Sequence, residues 1–381
     1  MPAAQTELKN NNQLIAIPLF SDTLSPMKPL RRLVEITKDA YNYKYNFEST
    51  PPNEVILFIT SLCNFACETC FYSEKLNDTK NDLTFEELEK ISSNFKEIRL
   101  LLLTGGEPYL RKNFFEIIKM FYENNKVRRL HLPTNGYATK KIMSDTIRML
   151  SELPKLEINI GVSIDALYEK HDQISKKNGA FVKAMETQRL LIDLEKKHKN
   201  LSTKFYTVLS NDNINETDKL FEYIVNEFGF EKIGFSPLRG DPANPALKSP
   251  TPIEWDRLYN MYKKYEKTKP LDFKQFLINR KMTNIHAINK KVLSGNGFVK
   301  DSEKNFGKFS CSAGNNICVI DADGEVRVCE LKDPVGNLRN HDYDIRKILN
   351  KKLKHNCTCT HACFQNASID VSPVNYIKQF I

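Results

Sequence analysis

The chain has 381 residues, enough for one large core and a smaller one, since single cores stop growing beyond roughly 250–300 residues. Hydrophobic residues make up 41% and charged ones 27%, with 14 glycines and 17 prolines, which excludes a disordered or fibrous chain. The net charge of +9 is interleaved with 47 acidic residues. Its densest runs, KKHK (196–199) and KKLKH (351–355), fall where helix faces or ends are expected, so a solvated surface is preferred to a nucleic-acid stripe.

Taken in chain order, residues 1–50 read as an N-terminal extension. Its longest apolar run, LIAIPLF (14–20), contains Pro18 and is far shorter than the roughly 20 residues that span a bilayer. The polar residues before it carry no basic stretch of the kind that opens a signal peptide. A cytoplasmic protein with no membrane partner is expected.

From 51 to 240, short apolar runs alternate with helical patterns. VILFIT (55–60), IRLLLLT (98–104), RLHLP (129–133), LEINIGVS (156–163), KFYTVLS (204–210) and KIGFS (232–236) read as strands buried on both faces, hence a parallel sheet. Between the first two, Thr84 and Glu87 have capping-box spacing, with Leu83 and Leu88 placed for a hydrophobic staple. Helices are expected over 112–124, 139–151, 180–197 and 217–228. Periodicity leaves an open doubly wound sheet and a partial barrel both possible. Residues 241–305 read as a connector, opening on the proline-rich PLRGDPANPALKSPTP (237–252). Residues 306–381 are short, turn-rich and cysteine-rich, with a hairpin signal at DADG (321–324).

Nine cysteines, an odd number in a chain of this character, argue against a disulfide framework and toward metal or redox chemistry. Three of them, Cys63, Cys67 and Cys70, lie in SLCNFACETCF (61–71), directly after the first expected strand. That is the carboxyl end of a parallel strand, where such folds place ligands. A structural zinc site wants four ligands in paired units. The other six cysteines lie more than 200 residues away, so an iron–sulfur cube with one open iron suits three thiolates better.

C-x₃-C-x₂-C at this place resembles the signature of the radical S-adenosylmethionine enzymes. TGGEP (104–108), PTNGY (133–137) and VSID (162–165), at the ends of the next three strands, are similar to the cofactor-binding turns of that family. The resemblance covers residues 54 to about 237. It implies a partial (β/α)6 TIM-like barrel and a [4Fe–4S] cluster on Cys63, Cys67 and Cys70. An open iron would take S-adenosyl-L-methionine, whose one-electron cleavage gives a 5′-deoxyadenosyl radical that abstracts a substrate hydrogen. It also implies cofactor contacts at Gly105, Gly106, Glu107, Asn135, Ser163 and Asp165, the glycines because ligand approaches main chain closely. Phe71 or Tyr72 would take the adenine side, because Thr69 stands where many members have an aromatic. Lys176 or Lys177 would replace an arginine that often follows the fourth strand.

The remaining cysteines, 311, 318, 329, 357, 359 and 363, resemble the auxiliary-cluster domain called SPASM, or its shortened form, twitch. Two further cubes would need about eight thiolates and six are present, so one auxiliary [4Fe–4S] cluster is expected on Cys311, Cys329, Cys359 and Cys363, with Cys357 as an alternate. A zinc knuckle is the competing account. His361 is read as a surface histidine, and Cys318 as a buried small hydrophobe or, in the sharper reading, a hydrogen-atom donor. Arg239 could bind a phosphate or carboxylate, or simply pair with Asp241 or a helix end.

The family reading makes the protein an oxidoreductase-type enzyme served by an electron donor such as flavodoxin or ferredoxin. Its substrate would be a small metabolite or sugar, oxidised or epimerised, with a ribosomal peptide as the alternative. Peptide-modifying members often carry an N-terminal peptide-recognition domain, for which residues 1–53 show no pattern. An iron–sulfur electron-transfer protein would not need TGGEP or polar strand ends.

Overall fold

The computed structural model describes residues 51–266, 273–295, 311–351 and 359–371. Six parallel strands come first: β1 (Glu54–Thr60), β2 (Leu100–Gly105), β3 (Arg129–Thr134), β4 (Glu157–Ser163), β5 (Leu201–Leu209) and β6 (Ile233–Pro237). Helices α1 (Phe85–Asn94), α2 (Phe114–Asn124), α3 (Thr139–Glu152), α4 (Tyr168–Ser175), α5 (Ala180–Glu195) and α6 (Thr217–Phe228) connect them.

The strands stand in the order β6-β5-β4-β3-β2-β1 with no reversal. A doubly wound sheet reverses its order, whereas right-handed crossovers that always step the same way keep their helices on one face. The result is the partial barrel of the two alternatives. One face of the sheet packs against these helices and the other forms the inside of the partial barrel.

β1 is buried along its whole length because β7 (Ile317–Ile320) pairs with its far edge, in parallel, from Glu54↔Ile317 to Leu57↔Ile320. Strand β8 (Glu325–Arg327) then turns back on β7 at the expected hairpin, with Asp321 N–H donating to the Glu325 carbonyl and Gly324 at φ 83. β9 (Gly336–Asn337) ends the sheet. The sheet therefore continues from the barrel into the cysteine-rich C-terminal region. Helices α7 (Pro252–Glu266), α8 (Phe273–Ser294) and α9 (Ala362–Val371) complete the fold.

The capping box forms at α1: Thr84 N–H donates to Glu87 Oε2 (2.9 Å) and Glu87 N–H to Thr84 Oγ1 (3.2 Å). Leu83 and Leu88 are both buried in the main core. Glu87 has a second partner, since Arg339 Nε and Nη2 lie 2.6 and 2.8 Å from its carboxylate. An N-terminal helix cap is thus also an anchor for the C-terminal region. Among the described residues, no helix is long and apolar enough to cross a membrane.

Candidate active site

The cysteine loop leaves β1 at Thr60 and is fixed from three directions. Asp82 Oδ2 accepts from Thr60 Oγ1 (3.0 Å) and Ser61 N–H (2.9 Å), while Asn77 Oδ1 accepts from Cys63 N–H (2.9 Å). Helix α4 ends against the loop, so that Ile174 and Ser175 carbonyls, orphans of the last helical turn, accept from Glu68 N–H (2.9 Å) and Ala66 N–H (3.3 Å). The loop after β6 closes the third side, with Ala243 and Asn244 N–H donating to the Cys70 and Glu68 carbonyls, both at 3.0 Å. Cys63, Cys67 and Cys70 are half-buried in this frame. Burial raises all three thiols, Cys63 to about 11, so metal loading must displace protons from the loop.

The TGGEP turn meets the loop through main chain. Gly106 N–H donates to the Thr60 carbonyl and Glu107 N–H to the Leu62 carbonyl, each at 2.9 Å. A Cβ on Gly105 (φ 131) would lie 2.1 Å from the Thr60 oxygen, and one on Gly106 2.2 Å from the Leu62 oxygen. The glycines were expected for ligand approach. Here the end of β1 already demands them.

Glu107 is turned inward. Its carboxylate accepts from Thr134 Oγ1 (2.9 Å), Asn135 N–H (2.7 Å) and Tyr109 N–H (3.3 Å), and burial outweighs these bonds to push it up to about 7. The side chain braces Asn135. Asn135 in turn donates to Asn64 Oδ1 of the cysteine loop at 2.7 Å.

Ser163 is half-buried at the end of β4. Asp165 lies behind it, with Oδ1 accepting from Val208 N–H (2.8 Å) and a second bond from the Thr69 hydroxyl; burial pushes it up to about 6 in spite of both. It stands close enough to Cys67 to disfavour that thiolate. Thr69, where an aromatic was missed in the sequence, thus has a polar task of its own. Phe71 and Tyr72 both have partners within the protein. Tyr72 packs on Phe58 at 4.7 Å and its hydroxyl is hydrogen-bonded to the Ala322 main chain, which gives it to the join with the hairpin. Phe71 lies under the Arg239 guanidinium at 5.1 Å. Lys176 forms an ion pair with Glu68, and Lys177 lies over the Tyr137 ring at 4.9 Å.

In the C-terminal region Cys311 precedes β7, Cys329 follows β8, and Cys359 and Cys363 flank the start of α9. Cys357 lies outside the described residues. Ser312 N–H donates to Ser368 Oγ (2.9 Å) and Glu330 pairs with His361, so the chain neighbours of Cys311 and Cys329 both grip the segment that carries Cys359 and Cys363. His361 is fully buried, which corrects the surface reading: its ring is T-shaped on Phe364 at 4.7 Å and bonds Glu330. Arg239 completes the group at 3.5 Å from Glu330, in place of the expected Asp241. Burial opposes charge on Glu330, yet His361 and the permanent cation Arg239 hold it down at about 2. Cys318 sits in the middle of β7 opposite Val55, wholly buried in the apolar core.

A connection that the sequence hid joins the two regions. Lys75, just past the cysteine loop, places Nζ 3.0, 2.9 and 2.7 Å from Asp321, Asp323 and Glu325 of the hairpin. These three carboxylates would otherwise resemble a cation site. An ammonium fills it.

A family profile described as the Radical SAM superfamily matches residues 57–224. Those residues form a radical SAM domain. The match begins inside β1 and ends in α6, and so takes in the cysteine loop and the turns after β2, β3 and β4. For these residues the family implies a [4Fe–4S] cluster and S-adenosylmethionine. Among curated proteins, GTP 3′,8-cyclase of Pectobacterium atrosepticum is 38% identical over 86 residues, 21% of this chain and 26% of that protein. The same enzyme of Staphylococcus epidermidis is 33% identical over 99 residues, 24% and 29% of the two chains. The chain thus spans about a quarter of the length of these relatives. Among solved structures, native anSMEcpe with bound AdoMet aligns with TM-score 0.51 and 17% identity, over 86% of this chain and 98% of that one. Streptococcus suis SuiB bound to S-adenosylmethionine aligns with TM-score 0.53 and 14% identity, over 86% and 71%. At these identities the likeness is one of fold.

Proposed function

We propose that the radical SAM domain of this chain generates a 5′-deoxyadenosyl radical at the carboxyl ends of its strands and abstracts a hydrogen atom from a substrate held there. The observation that carries this reading is the cysteine loop at the carboxyl end of β1. It offers three soft thiol ligands, no fourth cysteine of its own, and a frame of main-chain bonds and the side chains of Asp82 and Asn77. This donor set fits a [4Fe–4S] cluster held by Cys63, Cys67 and Cys70. Bound there, the cluster and S-adenosylmethionine would supply one-electron cleavage of the sulfonium and the radical.

The chain's own residues do the rest. Gly105, Gly106 and the Glu107 main chain shape the turn beside the loop, and Asn135 is held toward it by Glu107 and Asn64. Ser163 and Asp165 stand at the end of β4. Cys311, Cys329, Cys359 and Cys363 would hold one auxiliary [4Fe–4S] cluster, with Cys357 as alternate ligand. The buried Glu330, His361 and Arg239 would fix its surroundings. Cys318 is taken as a core residue, since its thiol is enclosed by β1 and the rest of the apolar core.

For the substrate we infer a small metabolite or sugar that undergoes oxidation or epimerisation, with the electron supplied by a flavodoxin or ferredoxin in the cytoplasm. A second reading, ribosomal peptide modification, is favoured by one observation: fold neighbours include anSMEcpe with a bound Cp18Cys peptide and SuiB with its precursor peptide SuiA. The test is product analysis after anaerobic iron–sulfide reconstitution. With dithionite and S-adenosylmethionine, 5′-deoxyadenosine should form and about eight irons should be bound per chain. About four irons with one zinc would replace the auxiliary cluster by a zinc knuckle. No deoxyadenosine would remove the enzyme reading.

A further inference from the structure

The two faces of β5 differ. Thr203 bonds Gln188 and Glu195 of α5, and Phe205 packs edge-on against Phe228 of α6, so these residues face the helices. The period of two sends Ser202, Lys204 and Tyr206 to the opposite face, the inside of the partial barrel, where Lys204 is buried and Ser202 and Tyr206 are half-buried. There Asn159 of β4 donates to Ser202 Oγ at 2.8 Å, and the Tyr206 ring lies over Gly161. A Cβ on Gly161 would come within 2.4 Å of that ring, so the glycine makes room for it. Gly161 is the register partner of Lys204, and Ser163 that of Tyr206. Lys204 therefore shares a sheet face with Ser163, two residues below the row that holds it.

Its environment is unusual for a lysine. Lys204 is 2% exposed, and its Nζ has no hydrogen-bond partner among the described residues. The Tyr206 ring centre is 5.2 Å away. Glu195, the acid whose charge it feels, already has both oxygens within 2.6 Å of Lys232 Nζ, and Lys232 repels a second cation. The other buried lysine of this sheet edge, Lys232, is thus fully paired where Lys204 is not. Burying a lone ammonium is strongly unfavourable, and methionine would fill the same space without that cost. Residues that break such a rule are expected where function needs them.

We propose that Lys204 Nζ receives an acidic group of the substrate, a carboxylate or a phosphate, on the inner face of the sheet below Ser163. The anion replaces the missing counter-charge, and the cost of the empty site becomes binding selectivity for acids. This deepens the substrate reading above and rests on it only for the identity of the occupant.

The test uses the full-length, anaerobically reconstituted protein with S-adenosylmethionine, heated with inorganic phosphate or with malonate against sodium chloride at equal ionic strength. One of the two anions should raise the Tm by about 2–4 °C at tenfold or greater excess over its Kd. Which one does so tells phosphate from carboxylate. Lys204→Met and Lys204→Gln should melt at or above the unliganded wild type and lose that gain, while Lys199→Met, an exposed control, keeps it. A wild type that gains nothing from either anion overturns the proposal. So does a gain that survives in both variants, or two variants that are both less stable than the unliganded wild type. Deoxyadenosine is measured in the same samples: its absence beside an intact anion response would strike the cofactor reading and leave Lys204 standing.

Discussion

The cysteine loop after β1 and the cysteine-bearing C-terminal region are secured by different means. Around Cys63, Cys67 and Cys70 the support is a net of hydrogen bonds, from the α4 carbonyls, the TGGEP amides, the amides of the loop after β6 and the side chains of Asp82 and Asn77. Around Cys329, Cys359 and Cys363 it is a buried side-chain group, the Glu330–Arg239 ion pair with His361 bonded to Glu330. An enclosed site can use buried ion pairs, but each partner then becomes indispensable, because removing one leaves an uncompensated charge.

The sharpest division should appear in the cysteines themselves. Cys63→Ala, Cys67→Ala or Cys70→Ala is expected to bring S-adenosylmethionine cleavage to background, while Cys359→Ala keeps part of the cleavage uncoupled from substrate. Equal loss in all four, measured as deoxyadenosine per chain, would erase the distinction. Gly106→Ala comes next. The added Cβ would overlap the Leu62 carbonyl, and a loss of roughly 3–5 kcal/mol in stability is expected, read by denaturant unfolding. Arg239→Ala should cost about 3 kcal/mol and lower the iron count of the C-terminal region while leaving that of the loop unchanged. Loss of iron from both would mean the regions are not independently held.

The smallest effect probes the join between them. Arg339 and the Thr84 amide hold the Glu87 carboxyl down to about 2, against an ordinary 4.5. The unfolded chain therefore binds this proton more readily. The stabilisation is fully present above pH 4.5 and is lost as pH falls from there toward 2. With solvent screening it amounts to about 0.5–1 kcal/mol. Glu87→Gln should be less stable than the wild type at pH 7 by that amount, and the difference in Tm between the two metal-free chains should shrink below pH 4.5. A constant difference would show that the ion pair contributes nothing.

Much of the barrel could be read in the sequence because parallel strands buried on both faces are continuous apolar runs, and the α1 cap is a four-residue pattern. The cysteine loop and the three strand-end turns were legible for the same reason: each is local. Helix α4 was missed, since YEKHDQIS has few apolar residues to mark a buried face, though its last carbonyls hold the cysteine loop. What joins distant segments was also out of reach. Lys75 meets carboxylates some 246–250 positions away, and Thr69 finds Asp165 across the sheet end. His361 was read as exposed from its place between cysteines expected as ligands, and only the fold brings Glu330 to it. The TGGEP glycines have a second reason that the sequence hid, the Thr60 and Leu62 carbonyls that a Cβ on either would overlap.

The account turns on the three-cysteine loop holding a cluster whose remaining ligand is S-adenosylmethionine. The most direct measurement is electron paramagnetic resonance of the dithionite-reduced Cys359→Ala/Cys363→Ala chain, in which the second region no longer contributes a signal, recorded with and without that nucleotide. A cluster signal that changes on addition of S-adenosylmethionine is the predicted result. No cluster signal, or one that the nucleotide leaves untouched, would contradict it.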